Sequence, residues 1–193
     1  MEQIRLRIEG DAPLIVQGDT LADPLHELTL KYREVTRKQK KTDADQRAMG
    51  EIEFEGGLYY DPKIGPYMPG DNVMKCLVEA ARLSKAGKQM ERGVMIEENR
   101  IPLLYTGPRD IATLLRSPAF HYRKTVVVGK ARTVRVRPYF QEWAMEFGFG
   151  FLPEVVDGRA IASAMETAGQ LIGIGQRRPN KGGQFGRFSV RVL

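Results

Sequence analysis

The chain is poor in the residue types that most often carry catalysis or hold metal. It has one cysteine, Cys76, and two histidines, His26 and His121. A single thiol excludes an intrachain disulfide, and with so few Cys and His side chains a zinc cage is not expected. No apolar run approaches the roughly 18–20 residues of a membrane helix, so no membrane partner is expected. The Gly-Lys-Ser/Thr of a nucleotide phosphate loop is missing. Gly173-x-Gly175 follows a helical pattern rather than a strand, so it is not a dinucleotide fingerprint. No cofactor is expected. The start, Met1-Glu2-Gln3-Ile4-Arg5, lacks the shape of a secretory signal, which predicts a chain that stays inside the cell that makes it.

The most telling absence is of acid from one long stretch. Gly173 to Phe188 reads GIGQRRPNKGGQFGRF, with no Asp or Glu. Glycines let a backbone approach a ligand closely and turn its N–H groups outward. Arginines beside such a backbone suit phosphate, because the planar guanidinium pairs with its oxygens. The stretch predicts a grip on a phosphodiester chain, with Arg177, Arg178, Lys181 and Arg187 as its cations.

What is present fits a folded domain of 193 residues, with 42% hydrophobic and 28% charged residues. The net charge of +6 is unevenly spread. Arg123, Lys124, Lys130, Arg132, Arg135 and Arg137 form an acid-free group, and Arg177, Arg178, Lys181, Arg187 and Arg191 another. Clustered charge of one sign marks nucleic-acid binding. A third group, Lys31 to Lys41, is interrupted by Glu34 and reads as a solvated helix face.

Periodicity predicts the elements. Residues 2–9 alternate as a half-buried strand with Arg5 and Arg7 outward. Two helices are expected within 19–56, one over Pro24 to Lys40 and one after the cap signal Thr42-Asp43. Another begins at Asp71 or Asn72 and ends at Gly87. Short strands are expected at 93–97 and 101–105 and a short helix at 108–116, inside a second insertion of about 88–130. A hairpin is expected from 131–139 and 142–151, followed by a helix at 158–172 and a last strand at 188–192. Removing the insertions leaves β–α–β–β–α–β. The expected fold is therefore α+β, a ferredoxin-like (RRM-type) core with a four-stranded antiparallel sheet, two insertions and one domain over 1–193.

Helices on one side of such a sheet leave the other open. The alternation puts Arg5, Arg7, Arg135, Arg137, Tyr139, Arg187 and Arg191 on that open face, and Gly148 and Gly150 leave room there. Trp143, Met145, Phe147, Phe149 and Phe151 share the other side and read as core.

Pro66-Tyr67-Met68-Pro69-Gly70-Asp71-Asn72-Val73-Met74-Lys75 resembles the Ile-Pro-Gly-Ser-Ser-Leu-Lys-Gly helix entrance of the RAMP superfamily of CRISPR effector backbone subunits. The basic glycine-rich loop before the last strand resembles that superfamily's second hallmark. Asp71 and Asn72 stand where the family has serines, and Lys75 lies one position beyond its lysine. The resemblance implies a palm that holds single-stranded guide RNA, subunits stacked side by side along it, and a cytoplasmic setting in a bacterial, archaeal or phage-infected cell. Lys75 joins the binding set on that ground. Some relatives cleave RNA with an aspartate after the first strand, where this chain has Asp11, Asp19 and Asp23. These read better as turn and cap residues, so no enzyme is expected. The alternatives left standing are a free-standing phage single-stranded DNA-binding protein, a metal-free endoribonuclease and a structural virion protein.

Overall fold

The first strand is the hub of the largest sheet. The computed structural model describes residues 1–129 and 131–193. Strand β1 (Glu2–Gly10) buries Leu6 and Ile8 completely while Arg5 and Arg7 point the other way. Next come β2 (Leu14–Ile15), α1 (Glu27–Thr36), α2 (Asp43–Gly57), β3 (Tyr60–Asp61), β4 (Gly65–Pro69) and α3 (Gly70–Leu83). The middle of the chain supplies α4 (Gly87–Gly93), β5 (Val94–Ile96), β6 (Arg100–Pro102), α5 (Ile111–Arg116), β7 (His121–Val128) and β8 (Ala131–Phe140). It closes with β9 (Ala144–Phe151), α6 (Gly158–Thr167) and β10 (Phe188–Val192).

Four strands form one antiparallel sheet in the order β10-β1-β9-β5. Its register sets Leu6 opposite Phe147, Ile8 opposite Met145 and Ile4 opposite Phe149, so one face is continuously apolar. Phe147 and Phe149 are fully buried and meet edge to face at 5.4 Å. Val73, Leu77 and Ala81 of α3 and Ile161 and Met165 of α6 complete the same core. The aromatic stripe of β9 is therefore packing, as expected. After α6 the chain makes a wider turn, with Gly173 N–H donating to the Ala168 carbonyl. A Cβ on Gly169 would sit 1.9 Å from the Phe188 carbonyl oxygen, so only glycine lets this turn reach β10.

Two smaller sheets flank it, β2-β8-β7 and β3-β4-β6. Helix α2 covers one face of the first, with Gly50 against Val136 and Phe54 against the His121 ring at 4.6 Å. Its start is a capping box. Thr42 accepts from the Asp45 N–H, and the Asp45 carboxylate accepts from the Thr42 N–H.

Three expectations are corrected. The 131–139 and 142–151 strands do not form a hairpin. β8 pairs with β7 and β2, and β9 lies between β1 and β5. Buried Phe140 and Trp143 lie on either side of the connection, and Trp143 Nε1 is anchored 2.9 Å from the Ala12 carbonyl oxygen, so the chain crosses from one sheet to another there. The segment expected as an insertion over 88–130 thus holds β5, an edge strand of the main sheet. Finally, α3 starts at Gly70, placing Asp71 and Asn72 inside its first turn, and ends at Leu83 rather than Gly87. Lys85 turns the chain with φ of 62°.

Among the described residues no helix is long and apolar enough to cross a membrane.

The Asp45 carboxyl is held down to about 2, chiefly by the Lys38 ammonium and then by the Thr42 N–H and hydroxyl. An unfolded aspartate titrates near 3.9. A depressed folded value means that the stability Asp45 contributes is present above about pH 4 and lost as pH falls toward 2. Thermal melts should show Asp45→Asn less stable than wild type at neutral pH and equal to it near pH 2. A constant gap across that window would disprove the assignment.

Candidate nucleic-acid interface

The hairpin β7–β8 has two chemically different faces. Cross-strand partners share a face, and the register pairs Tyr122 with Arg137 and Lys124 with Arg135. Tyr139 lies two residues beyond Arg137 and so joins them. Tyr122 and Tyr139 stack at 6.2 Å with 22° between their planes. The opposite face carries Val136, buried under α2, together with Arg123 and Arg132. Strand alternation therefore splits the basic group that the sequence presents as one. Lys130 lies outside the described residues.

The arginines of the first face are held by an acid from another element. Glu53 on α2 is 2% exposed. One of its carboxylate oxygens accepts from Arg135 and from the Tyr32 hydroxyl at 2.6 Å. The other accepts from the Val136 N–H at 2.9 Å and lies 3.6 Å from Arg137 Nη1. Burial, reinforced by the Glu53 carboxylate, pushes the Tyr32 phenol up to about 12, so it remains a hydrogen-bond donor.

The glycine-rich loop folds against this hairpin. Phe185 meets Tyr122 edge to face at 5.4 Å. The loop is stitched to the segment that carries β2. Gln176 N–H donates to the Ile15 carbonyl, Gly186 N–H to Pro13, and on the hairpin side Val16 N–H donates to Pro138. Gly186 has φ of +67°, and a Cβ there would fall 1.8 Å from the Ile174 carbonyl oxygen. Arg178 reaches back to Glu79 of α3 at 3.1 Å, and Asn180 donates to the same carboxylate at 2.9 Å.

Together these elements enclose a cleft of about 750 Å³. Arg135 and Arg137 come from β8, Gly175, Gln176 and Arg178 from the loop, and Asn72 from the first turn of α3. Glu53 and Asp19 also line it, so three guanidiniums face two carboxylates. The Nε atoms of Arg137 and Arg178 are buried with no acceptor among the described residues, an arrangement that costs stability unless something else meets them.

The expected binding residues fall into distinct places. Arg135, Arg137 and Arg178 line this cleft, Lys124 and Tyr139 share the hairpin face with the two β8 arginines, and Arg177 is exposed on the loop beside Arg178. Arg5, Arg7 and Arg191 lie elsewhere. They sit on the outer face of the large sheet, where Arg5 pairs with Glu97 and Glu98, and Arg7 with Glu9 and Glu146. Three arginines there meet four glutamates, so the face is not cationic. The room expected above Gly148 and Gly150 is filled, since an added Cβ would meet Glu97 at 2.1 Å and Met1 at 2.8 Å. Lys75 is exposed on α3 beside a separate hollow, with Glu79, Arg82 and Glu91. Arg187 donates to the Gln170 carbonyl. Lys181 is exposed, and like Lys124, Arg123, Arg132, Arg177 and Arg191 it has no ion-pair partner among the described residues.

The loop does not offer its backbone as expected. The N–H groups of Ile174, Gln176, Lys181, Gly182, Gly183, Phe185 and Gly186 are spent on carbonyls of the protein. The groups that matter most without a sequence mark are Glu53, Glu79, Tyr122 and Phe185. Glu53 could be suspected from its i,i+4 spacing with Met49, which places it on the buried stripe of α2. Cys76 is buried, which pushes its thiol up to about 12, and burial lowers the His121 imidazole.

No protein-family model matches the chain, and no curated protein does. Twenty-five chains of solved structures match it. One belongs to the cryo-EM structure of the Type III-B Cmr-beta complex bound to cognate target RNA, with a TM-score of 0.53 and 14% sequence identity. The two chains share a fold. The match takes in all of this chain and 60% of that one.

Removing Glu53 would strand two guanidiniums and a buried N–H, whereas Glu97 forms only a surface pair. Glu53→Ala should lower stability by about 3 kcal/mol, and Glu97→Ala by no more than about 0.5 kcal/mol, in urea titrations of the free protein. Equal losses would remove Glu53 from its central position.

Proposed function

We propose that the chain is a single-strand nucleic-acid-binding protein of the RAMP type, most specifically an RNA binder. The observation that carries this is the meeting, on one side of the β7–β8 hairpin, of Lys124, Arg135 and Arg137 with the rings of Tyr122, Tyr139 and Phe185, beside Arg177 and Arg178 of the glycine-rich loop. Cations that track phosphates next to rings that accept unstacked bases are the two parts that single strands require. The sheet order β10-β1-β9-β5, with α3 preceding β5 and α6 preceding β10, supports a ferredoxin-like βαββαβ core within one domain over 1–193. The Cmr-beta complex is bound to target RNA. Carrying an RNA partner, a CRISPR-type setting and side-by-side association over to this chain is part of the proposal.

The role is binding rather than catalysis. A thiol held protonated by burial and an imidazole packed under Phe54 and bonded to the Leu114 carbonyl are poor nucleophile and base. Phosphates would be held mainly by cations without internal partners, so sequence preference should be weak along most of the strand.

About five neutralised phosphates predict a log–log salt slope near −3.5 for single strands. Labelled oligonucleotides titrated at several salt concentrations measure it. Lys124 is exposed on the hairpin and Arg177 on the loop. The double variant Lys124→Ala, Arg177→Ala should keep the fold and reduce the slope by about 1.4. A flat salt response, or no binding at low salt, rejects the proposal.

A further inference from the structure

A second hollow opens off the cleft, and its chemistry is not that of a phosphate site. It has a volume of about 460 Å³ and shares Asp19, Tyr59 and Asn72 with the cleft wall. Tyr59, Tyr60 and Tyr67 supply three aromatic rings. Tyr59 and Tyr67 lie 5.9 Å apart with 43° between their planes. One face of Tyr67 carries the Arg100 guanidinium, 5.5 Å from the ring centre and itself held by Asp61. The polar lining joins the amides of Asn72 and Asn99, the carboxylates of Asp19 and Asp71 and the Thr20 hydroxyl to the Arg100 guanidinium, which Asp61 already holds. Asn72 Nδ2 contacts Met68 Sδ at 3.4 Å, and its Oδ1 has no partner among the described residues.

We infer that this hollow receives one unstacked nucleobase carrying an exocyclic amine, from the strand whose phosphates occupy the cleft. The inference rests on the proposed single-strand binding. The size falls within the range of small-ligand pockets. Rings at half-buried positions offer stacking that any base accepts. Selection comes from the acceptors, because Asp19, Asp71 and Asn72 Oδ1 can take hydrogens from an amino group. The O4 carbonyl of uracil would face the same oxygens with no hydrogen to give. Two carboxylates at the wall, with the one lining guanidinium already paired to Asp61, also argue against a phosphate here. The aromatic side chains come from β3, β4 and the residue before them, positioned by the β3-β4-β6 sheet, so the pocket is carried by a different part of the molecule from the cationic hairpin.

Oligocytidine and oligouridine of equal length, each with 2-aminopurine placed in turn at every position, test this. The cytidine strand should bind several-fold tighter at the same salt. One or more 2-aminopurine positions should be quenched by stacking. Tyr67→Leu should abolish that quenching and weaken the cytidine strand about tenfold. Tyr67→Phe should retain both, and Asn72→Ala should narrow the cytidine–uridine difference. Equal affinity for both strands with no quenched position would overturn the base pocket while leaving phosphate binding intact. Loss of the salt response in wild type would instead reject the underlying proposal, and the pocket with it. Cytidine monophosphate, followed by tyrosine fluorescence, separates the sources of the base. Saturable quenching by the mononucleotide with no binding of either strand would overturn the strand as the ligand.

Discussion

The buried carboxylate of Glu53 is the constraint on which the arrangement of the cleft depends. It is nearly inaccessible, and it meets a phenol from α1, a backbone N–H of β8 and two guanidiniums from the same strand. An ion of this kind is tolerated in a protein interior only when its oxygens are fully occupied. Here they are, and the consequence is geometric. Arg135 and Arg137 cannot both lean toward Glu53 unless the outer edge of β8 lies along α2. That contact aims the hairpin, and with it Tyr122 and Tyr139, toward the glycine-rich loop. The residues around β2 complete the seam by bonding to the hairpin through Val16 and to the loop through Ile15 and Pro13. A surface assembled from segments more than a hundred residues apart is thus set by one acid and a short strand.

Ion pairing also sorts the chain's cations by role. An arginine tied to an acid at close range contributes little net field, however basic its surroundings look in sequence. Arg5, Arg7 and Arg178 belong to that class. The excess positive charge resides instead on exposed residues without acids, such as Lys124 on the hairpin and Arg177 and Lys181 on the loop. Electrostatic attraction of a polyanion would act through them, with the paired arginines serving as fixed directional donors once contact is made. The same reasoning moves the proposed interface away from the outer face of the large sheet, where glutamates outnumber arginines.

The parts that could be read from the sequence are those governed by local period. β1, β9, β10, α2, α3 and α6 announce themselves through alternation, helical stripes or a capping box, and they lie within a few residues of expectation. The pairing of strands was not readable in the same way. Gln141-Glu142 between two alternating runs looks like a tight turn, and only the burial of Phe140 and Trp143 on either side shows a crossing between sheets. β5 lies within the short strand expected at 93–97, but its three residues carry no mark of which sheet they join. For the site, Arg135, Arg137, Tyr139 and Arg178 were legible as cations and a ring. Their acids were not, because the stripe of a helix tells which side is buried but not what lies opposite. Glu53 and Glu79 look like ordinary helix-surface residues until α2 and α3 are docked.

The glycine-rich loop folds by a different physics from the one its composition suggests. Its glycines suggest a backbone exposed to ligand, yet most of its N–H groups close bonds within the protein. The glycines with positive φ let the loop fold tightly onto itself and onto β2. That folding places Arg177 in the left-handed region, with φ of 55°, which disfavours any residue with a Cβ. The Phe185 N–H donates to the Arg177 carbonyl across the loop, and the Gly183 backbone lies against that same carbonyl. A charged residue with a strained backbone is thereby fixed across the loop from Phe185. The loop is therefore better described as a rigid mount for side chains than as a backbone cradle, and under the proposed function it would act through the guanidinium and the ring it presents.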